Sequence, residues 1–252
     1  MCGNSHFTTR EPLRQFSTKG STPSCRRAMI RPLCIYCQRA EATDRDHVPP
    51  LCLFPARPQD AITVPSCRGC NEAHSRDDES VRNLVTPLAS TETHPAVQSV
   101  LSSKRDRALA RDLAERSGRH IQHLLDSIIP VEIQSAAGLY VGRGYAFQLD
   151  QPVLDRFLSR LTRALLWHEN SVCADGCEIE WRMAPSWAEV GEVSPELRTL
   201  LLSPGTEGSV GGDVFRYLGY VRRGSPSSLW FFRFYDGVEF MTRCRRCPDG
   251  AT

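Results

Sequence analysis

The chain has 252 residues, with 31 Lys and Arg against 29 Asp and Glu, and a formal net charge of +2. At 40% hydrophobic and 24% charged it has the composition of a globular protein, and it has no run of about 18 apolar residues to span a membrane. Its 11 cysteines form an odd set in a long chain with no secretory signal, which excludes a small disulfide-stapled scaffold. A reducing compartment, the cytoplasm, is the expected location.

The charge is unevenly spread. Residues 1–32 carry Arg10, Arg14, Lys19, Arg26, Arg27 and Arg31 against Glu11, a balance of +5 that leaves −3 for the remainder. Residues 1–30 are expected to form a disordered basic leader, with no apolar core of a signal peptide. Residues 31–85, dense in Cys, His, Asp and Pro, are expected to form a small zinc module. Residues 86–252 are expected to form a mixed α+β domain.

Within that second part, residues 86–130 have broken helical spacing. Val131–Asp150 has β-rich pieces, with Gly138, Gly142 and Gly144 as turn punctuation. Residues 152–168 predict the clearest helix. Val153, Leu154, Phe157, Leu158, Leu161, Ala164, Leu165 and Trp167 fill one face, with Asp155, Arg156, Arg160 and Arg163 outside it. Glu178–Met183 and Val214–Arg222 read as strands, and Pro195–Leu202 as a short helix after Ser194. Leu229–Phe240 reads as a hairpin around Asp236-Gly237. Residues 203–212 and 223–228 read as surface loops.

Cys34-x-x-Cys37 is followed by Cys67-x-x-Cys70. Two residues between cysteines let both thiolates of one tight turn reach one ion, and two such turns complete a tetrahedral sulfur shell for structural zinc. Between the pairs stands Asp46-His47-Val48-Pro49-Pro50, and Asn71 follows the last cysteine directly. His47, neutral near pH 7, suits a general base. Asp46 and Asn71 offer hard oxygen ligands suited to Mg²⁺ or Mn²⁺. His74, one helical turn beyond Asn71, is a further candidate ligand.

This arrangement, CIYC then DHVPP then CRGCN, resembles the HNH endonuclease family, in a variant with Asn in place of the final His. The resemblance covers residues 30–85. It implies a ββα-metal, treble-clef-like fold, with the strand ending near His47 as the second of the pair and the helix starting near Cys67–Asn71. It also implies metal-dependent hydrolysis of phosphodiester bonds in DNA, with His47 as base and Asp46 and Asn71 on the catalytic ion. The family's central Asn has no counterpart here; Asp60 is the nearest polar candidate and Thr63 the second. The alternative is a catalytically inactive zinc module that binds nucleic acid or protein.

Residues 33–85 hold six arginines against eight acids. Since phosphate neutralisation supplies much of the affinity for DNA, the basic segment 103–120 or the leader is the expected source of that charge. Cys173, Cys177, Cys244 and Cys247 form a weaker second set of pairs. Cys52 reads as a small core residue, and the aromatic run from Trp230 to Tyr235 as a buried strand.

Overall fold

A computed structural model describes residues 32–88, 90–100, 106–115, 118, 122, 125–183, 202 and 204–246. The expected leader, Cys2, Cys25, Cys247 and all of the helix expected at Pro195–Leu202 except Leu202, which lies in a turn, fall outside these residues. The fold is of the α+β class, and residues Arg31–Thr252 cluster as one unit.

The chain first makes a tight turn at Cys34–Cys37. The Cys34 N–H donates to the Ala40 carbonyl at 2.9 Å, and Gln38 takes a left-handed conformation to reverse the backbone. Two short strands follow, β1 (Asp44–Val48) and β2 (Ile62–Ser66), paired antiparallel with His47 opposite Thr63 and Asp46 opposite Val64. His47 therefore lies on the first strand of the pair, not the second as expected; β2 instead leads directly into the second cysteine turn. Pro65 is tolerated in β2 because the strand has a single neighbour. Its carbonyl accepts the Ile35 N–H at 3.1 Å and draws the first cysteine turn onto the ribbon. Helix α1 (Arg68–Val85) starts with Cys67 at its N-cap, where the sulfur accepts the Cys70 N–H at 3.5 Å.

Two short helices follow, α2 (Pro95–Val100) and α3 (Asp106–Glu115). The helical reading of 86–130 ends early, because strand β3 (Ile128–Gln134) pairs with β4 (Tyr140–Phe147). Gly138 makes the turn between them, at φ 79°. Gly142 and Gly144, expected in turns, lie within β4, opposite Ile133 and Val131.

Helix α4 (Gln151–Asn170) is the central element. Asp150 caps it by accepting the Val153 N–H at 3.2 Å, and left-handed Ser171 ends it. Its apolar face buries Leu154, Phe157, Leu158, Leu161, Ala164 and Leu165. Arg160, placed by periodicity among the outer residues, is also buried. It lies three residues after Phe157 and four before Ala164, so it shares their side of the helix.

The last layer is a five-stranded antiparallel sheet in the order β5-β9-β8-β7-β6. Its strands are β5 (Cys177–Met183), β6 (Gly205–Val210), β7 (Phe215–Val221), β8 (Ser228–Phe234) and β9 (Val238–Arg246). The hairpin expected around Asp236-Gly237 joins β8 to β9. Residues 205–210, read from Gly and Ser as a loop, form edge strand β6. Its glycine accommodates a neighbouring aromatic: a Cβ at Gly208 would lie 2.3 Å from the Tyr217 ring. The same holds at Gly219, which faces Trp230 across β7 and β8. The Trp230–Tyr235 run is buried apart from half-exposed Arg233.

One hydrophobic core runs from Ile35, Leu53, Phe54 and Val81 through α4 to Trp230, Phe232 and Phe240. The expected division at 85/86 falls inside it. Phe54 sits against Gly211, whose φ is 65°, and Asp60 accepts the Gly211 N–H at 3.0 Å.

Candidate metal centre and its acidic neighbourhood

The four sulfurs of Cys34, Cys37, Cys67 and Cys70 lie within 4.8 Å of one another. They form a group that can hold a metal ion such as zinc, and their all-sulfur chemistry fits a closed structural site. The two turns that carry them are independent in sequence. One is anchored by the Leu33–Glu41 bridge and the other is the first turn of α1. The Cys37 thiol is pulled down to about 6 by backbone N–H groups of Ala40 and Arg39, while burial pushes the Cys70 thiol up. Among the described residues no other Cys, His, Asp and Glu group of this kind occurs. Cys173, Cys177 and Cys244 do not form one. Cys173 accepts a hydrogen bond from the Gln38 side chain at 3.3 Å, and Cys177 and Cys244 are buried in the sheet.

Strand alternation sorts the neighbouring residues. Successive side chains of β1 point to opposite faces, so Asp44 and Asp46 face α1 while His47 lies on the other side with Arg45 and Thr63. On the α1 side, the Asn71 amide donates to Asp44 Oδ2 at 2.6 Å. That bond and the Arg45 N–H hold the Asp44 carboxyl below its usual value. Asn71 thus meets Asp44, not Asp46, although both carboxylates share this face.

Asp46 is buried, its side chain 6% exposed. The Tyr36 hydroxyl donates to its Oδ2 at 2.6 Å. His74 Nδ1 lies 3.9 Å and Arg160 Nε 4.0 Å from the same oxygen. No hydrogen bond reaches Oδ1 from the described residues. The His74 ring stands edge-on to the Tyr36 ring, and burial pulls it down to about 4, leaving it neutral at pH 7. Arg160 pairs directly with Asp78, and Arg156 makes a two-pronged bond to Asp77 at 2.7 and 2.8 Å.

His47 occupies a different environment. Its Nε2 is enclosed and has no hydrogen-bond partner among the described residues. Burial, with Arg57 nearby, lowers its pKa, so the ring is neutral at pH 7. Thr63 is its cross-strand partner, but the Thr63 hydroxyl accepts from Arg45 Nε at 2.8 Å. Asp60 is turned away to Gly211.

Sequence reasoning missed Tyr36, Asp44, Arg160 and Asp78 as members of this neighbourhood. Asp44 was legible, since it stands two residues before Asp46 on the same strand face. Tyr36 lies inside the first Cys-x-x-Cys turn. Arg160 carries only the helical spacing noted above. No helix among the described residues is long and apolar enough to cross a membrane.

No family model matches the chain, and comparisons with curated proteins and with solved structures gave no match.

Proposed function

We propose that residues 31–85 are an HNH-type endonuclease module, held together by zinc on the four cysteines, that hydrolyses phosphodiester bonds in DNA with the help of Mg²⁺ or Mn²⁺ in the cytoplasm. The observation that supports this reading is the cluster of four cysteines that joins the first cysteine turn and the end of the β1–β2 ribbon to the first turn of α1, with His47, neutral at pH 7, on β1.

The residues suit a divalent ion. Asp46 has an oxygen that takes no hydrogen bond from the described residues, and Asn71 commits its amide nitrogen to Asp44 and keeps its carbonyl oxygen. Both oxygens are hard ligands of the kind these ions prefer. Asp46 and Asn71 would hold the ion, with His74 close to Asp46. When bound, the ion supplies charge against the phosphate and the leaving oxygen.

His47 takes the proton of a water molecule. The water oxygen forms the new bond to phosphorus as the bond to the leaving oxygen breaks, and that oxygen receives a proton from solvent. Tyr36 holds Asp46 in place. The charge for binding DNA comes from segment 103–120 or the basic leader, since residues 33–85 are net acidic.

A plasmid-nicking assay with added Mg²⁺ or Mn²⁺ tests the proposal. Nicking is expected from the wild type and lost in His47→Ala and Asn71→Ala variants that keep their zinc. Cleavage that survives His47→Ala removes the mechanism. A second reading, an inactive zinc module that binds nucleic acid or protein, draws support from the burial of Asp46 and the Asn71–Asp44 pairing. Binding of DNA without nicking under either ion would establish it.

A further inference from the structure

Arg160 lies on α4, far along the chain from the cysteine turns, yet its guanidinium is enclosed among their neighbours, with the side chain 6% exposed. It pairs with Asp78 of α1 and approaches Asp46 of β1 at 4.0 Å. The Phe157 ring lies 5.4 Å away and supports it from the same helix. Its Nη1 is buried and makes no hydrogen bond among the described residues. Retaining a buried cation with an uncommitted N–H is costly, and the apolar face of α4 would pack a leucine or methionine at this position. What the arginine adds is geometry. Its planar fork can face two carboxylates on two different elements, which a lysine point charge cannot do with the same definition.

The two carboxylates are not equivalent. Asp78 receives the direct ion pair. Asp46 is approached by Arg160, Tyr36 and His74 on the one oxygen, Oδ2, while Oδ1 has no hydrogen bond from the described residues. A carboxylate hydrogen-bonded at Oδ2 by Tyr36, with the Arg160 guanidinium 4.0 Å from the same oxygen, presents Oδ1 in a fixed direction. Rotation about its Cβ–Cγ bond would break the 2.6 Å Tyr36 bond and move Oδ2 away from the guanidinium.

We infer that Arg160 is a positioning residue for the metal site: with Tyr36 it fixes the orientation of Asp46, so that α4, beyond the cysteine module, completes the site. The inference rests on the nuclease reading, with Asp46 as a ligand of the divalent ion. Partners that orient a ligand in this way typically change metal affinity by about 10- to 100-fold when removed.

The test is Mn²⁺ titration of the zinc-loaded, ¹⁵N-labelled full chain, read as paramagnetic broadening of the backbone amides of Asp46 and Asn71. The wild type is expected to show broadening centred on these residues. Arg160→Gln is expected to shift its midpoint to about tenfold higher Mn²⁺, with zinc content unchanged and partial recovery in Arg160→Lys. If Arg160→Gln does not fold, the double variant Arg160→Met, Asp78→Asn replaces the pair by neutral groups of similar size and is read in the same way.

An unchanged midpoint overturns the positioning role and leaves the nuclease reading intact. So does a tighter midpoint, because loss of a cation 4.0 Å from Asp46 favours a divalent ion by charge alone, and tightening would mean that Arg160 only competes for the carboxylate. Absence of broadening in the wild type overturns the nuclease reading itself, and this role with it.

Discussion

The Tyr235 hydroxyl donates to the Leu53 carbonyl at 2.6 Å, a buried bond between the β8–β9 turn and the loop that joins β1 to β2. It ties the far end of the sheet to the ribbon that carries His47. Burial pushes the Tyr235 hydroxyl well above its ordinary pKa, so it remains a donor throughout the working pH range. Tyr235→Phe leaves a buried carbonyl without its partner, and the expected loss is about 1–3 kcal/mol of folding stability. Urea unfolding followed by circular dichroism measures it. A loss below about 0.5 kcal/mol, the range of neutral surface changes, would show that the bond does not fasten the two parts.

The cysteine cluster makes a prediction about metal. Purified protein is expected to carry zinc in stoichiometric amount by elemental analysis, and Cys70→Ser to lose it. Ligand thiolates repel one another without a cation, and in small sites metal binding is folding free energy. Because the core is continuous from Ile35 to Phe240, a chelator is expected to lower the thermal midpoint of the whole described fold rather than release a separate transition. Full stability in metal-free protein would contradict a structural metal.

Gly219 gives a sharper test of the sheet. A Cβ there would lie 2.3 Å from the ring of Trp230, which is fully buried and directly opposite in β8. Gly219→Ala must displace that ring, at an expected cost of about 1–3 kcal/mol. Gly142→Ala, in β4, meets nothing within 4 Å and serves as the control. Equal denaturation midpoints for the two variants would refute the packing described here.

Two titrating groups around Arg160 act in opposite directions. Burial, together with Asp46 and Asp77, pushes Asp78 up to about 6 against the pull of Arg160. The folded state then holds a proton that the unfolded state sheds, so this group lowers stability as pH rises from about 4 to about 6, by about 3 kcal/mol at most. Burial, aided by Arg160, pulls His74 down to about 4. Here the unfolded state binds the extra proton, so stability rises with pH between about 4 and about 6.5, by a similar amount. The contributions nearly cancel in the wild type. Relative to it, Asp78→Asn is expected to gain stability as pH rises through this window, and His74→Gln to lose it. Urea melts at pH 4, 5, 6 and 7 give the slopes, and parallel slopes in all three proteins would exclude both shifts.

Legibility in the sequence followed the range of the signal. The Cys-x-x-Cys spacing brings two thiolates together within a single turn, and the structure clusters all four. The α4 periodicity and the Asp236-Gly237 turn are equally local, and both elements form where expected. Strand β6 was hidden because its Gly and Ser content reflects space needed by Tyr217 on the neighbouring strand, a fact of pairing that local composition does not carry. Arg160 was misplaced for a related reason: its charge argued for solvent, while its partners, Asp46 and Asp78, are supplied by other elements. The adjacency of Asp46 and His47 in the motif also conceals their separation by the pleat onto opposite faces of β1.

The contact between Phe54 and Gly211 reaches beyond stability to how the chain can change over time. A side chain at 211 would collide with the Phe54 ring at 2.8 Å, and its φ of 65° already favours glycine. A larger residue at 211 therefore requires a smaller one at 54, and Asp60 must stay where it can accept the Gly211 N–H. The loop between the two module strands and the turn after β6 are bound to a shared history. Among relatives, positions 54, 60 and 211 should vary together, and recombination that brought in a foreign sheet would have to bring this loop with it.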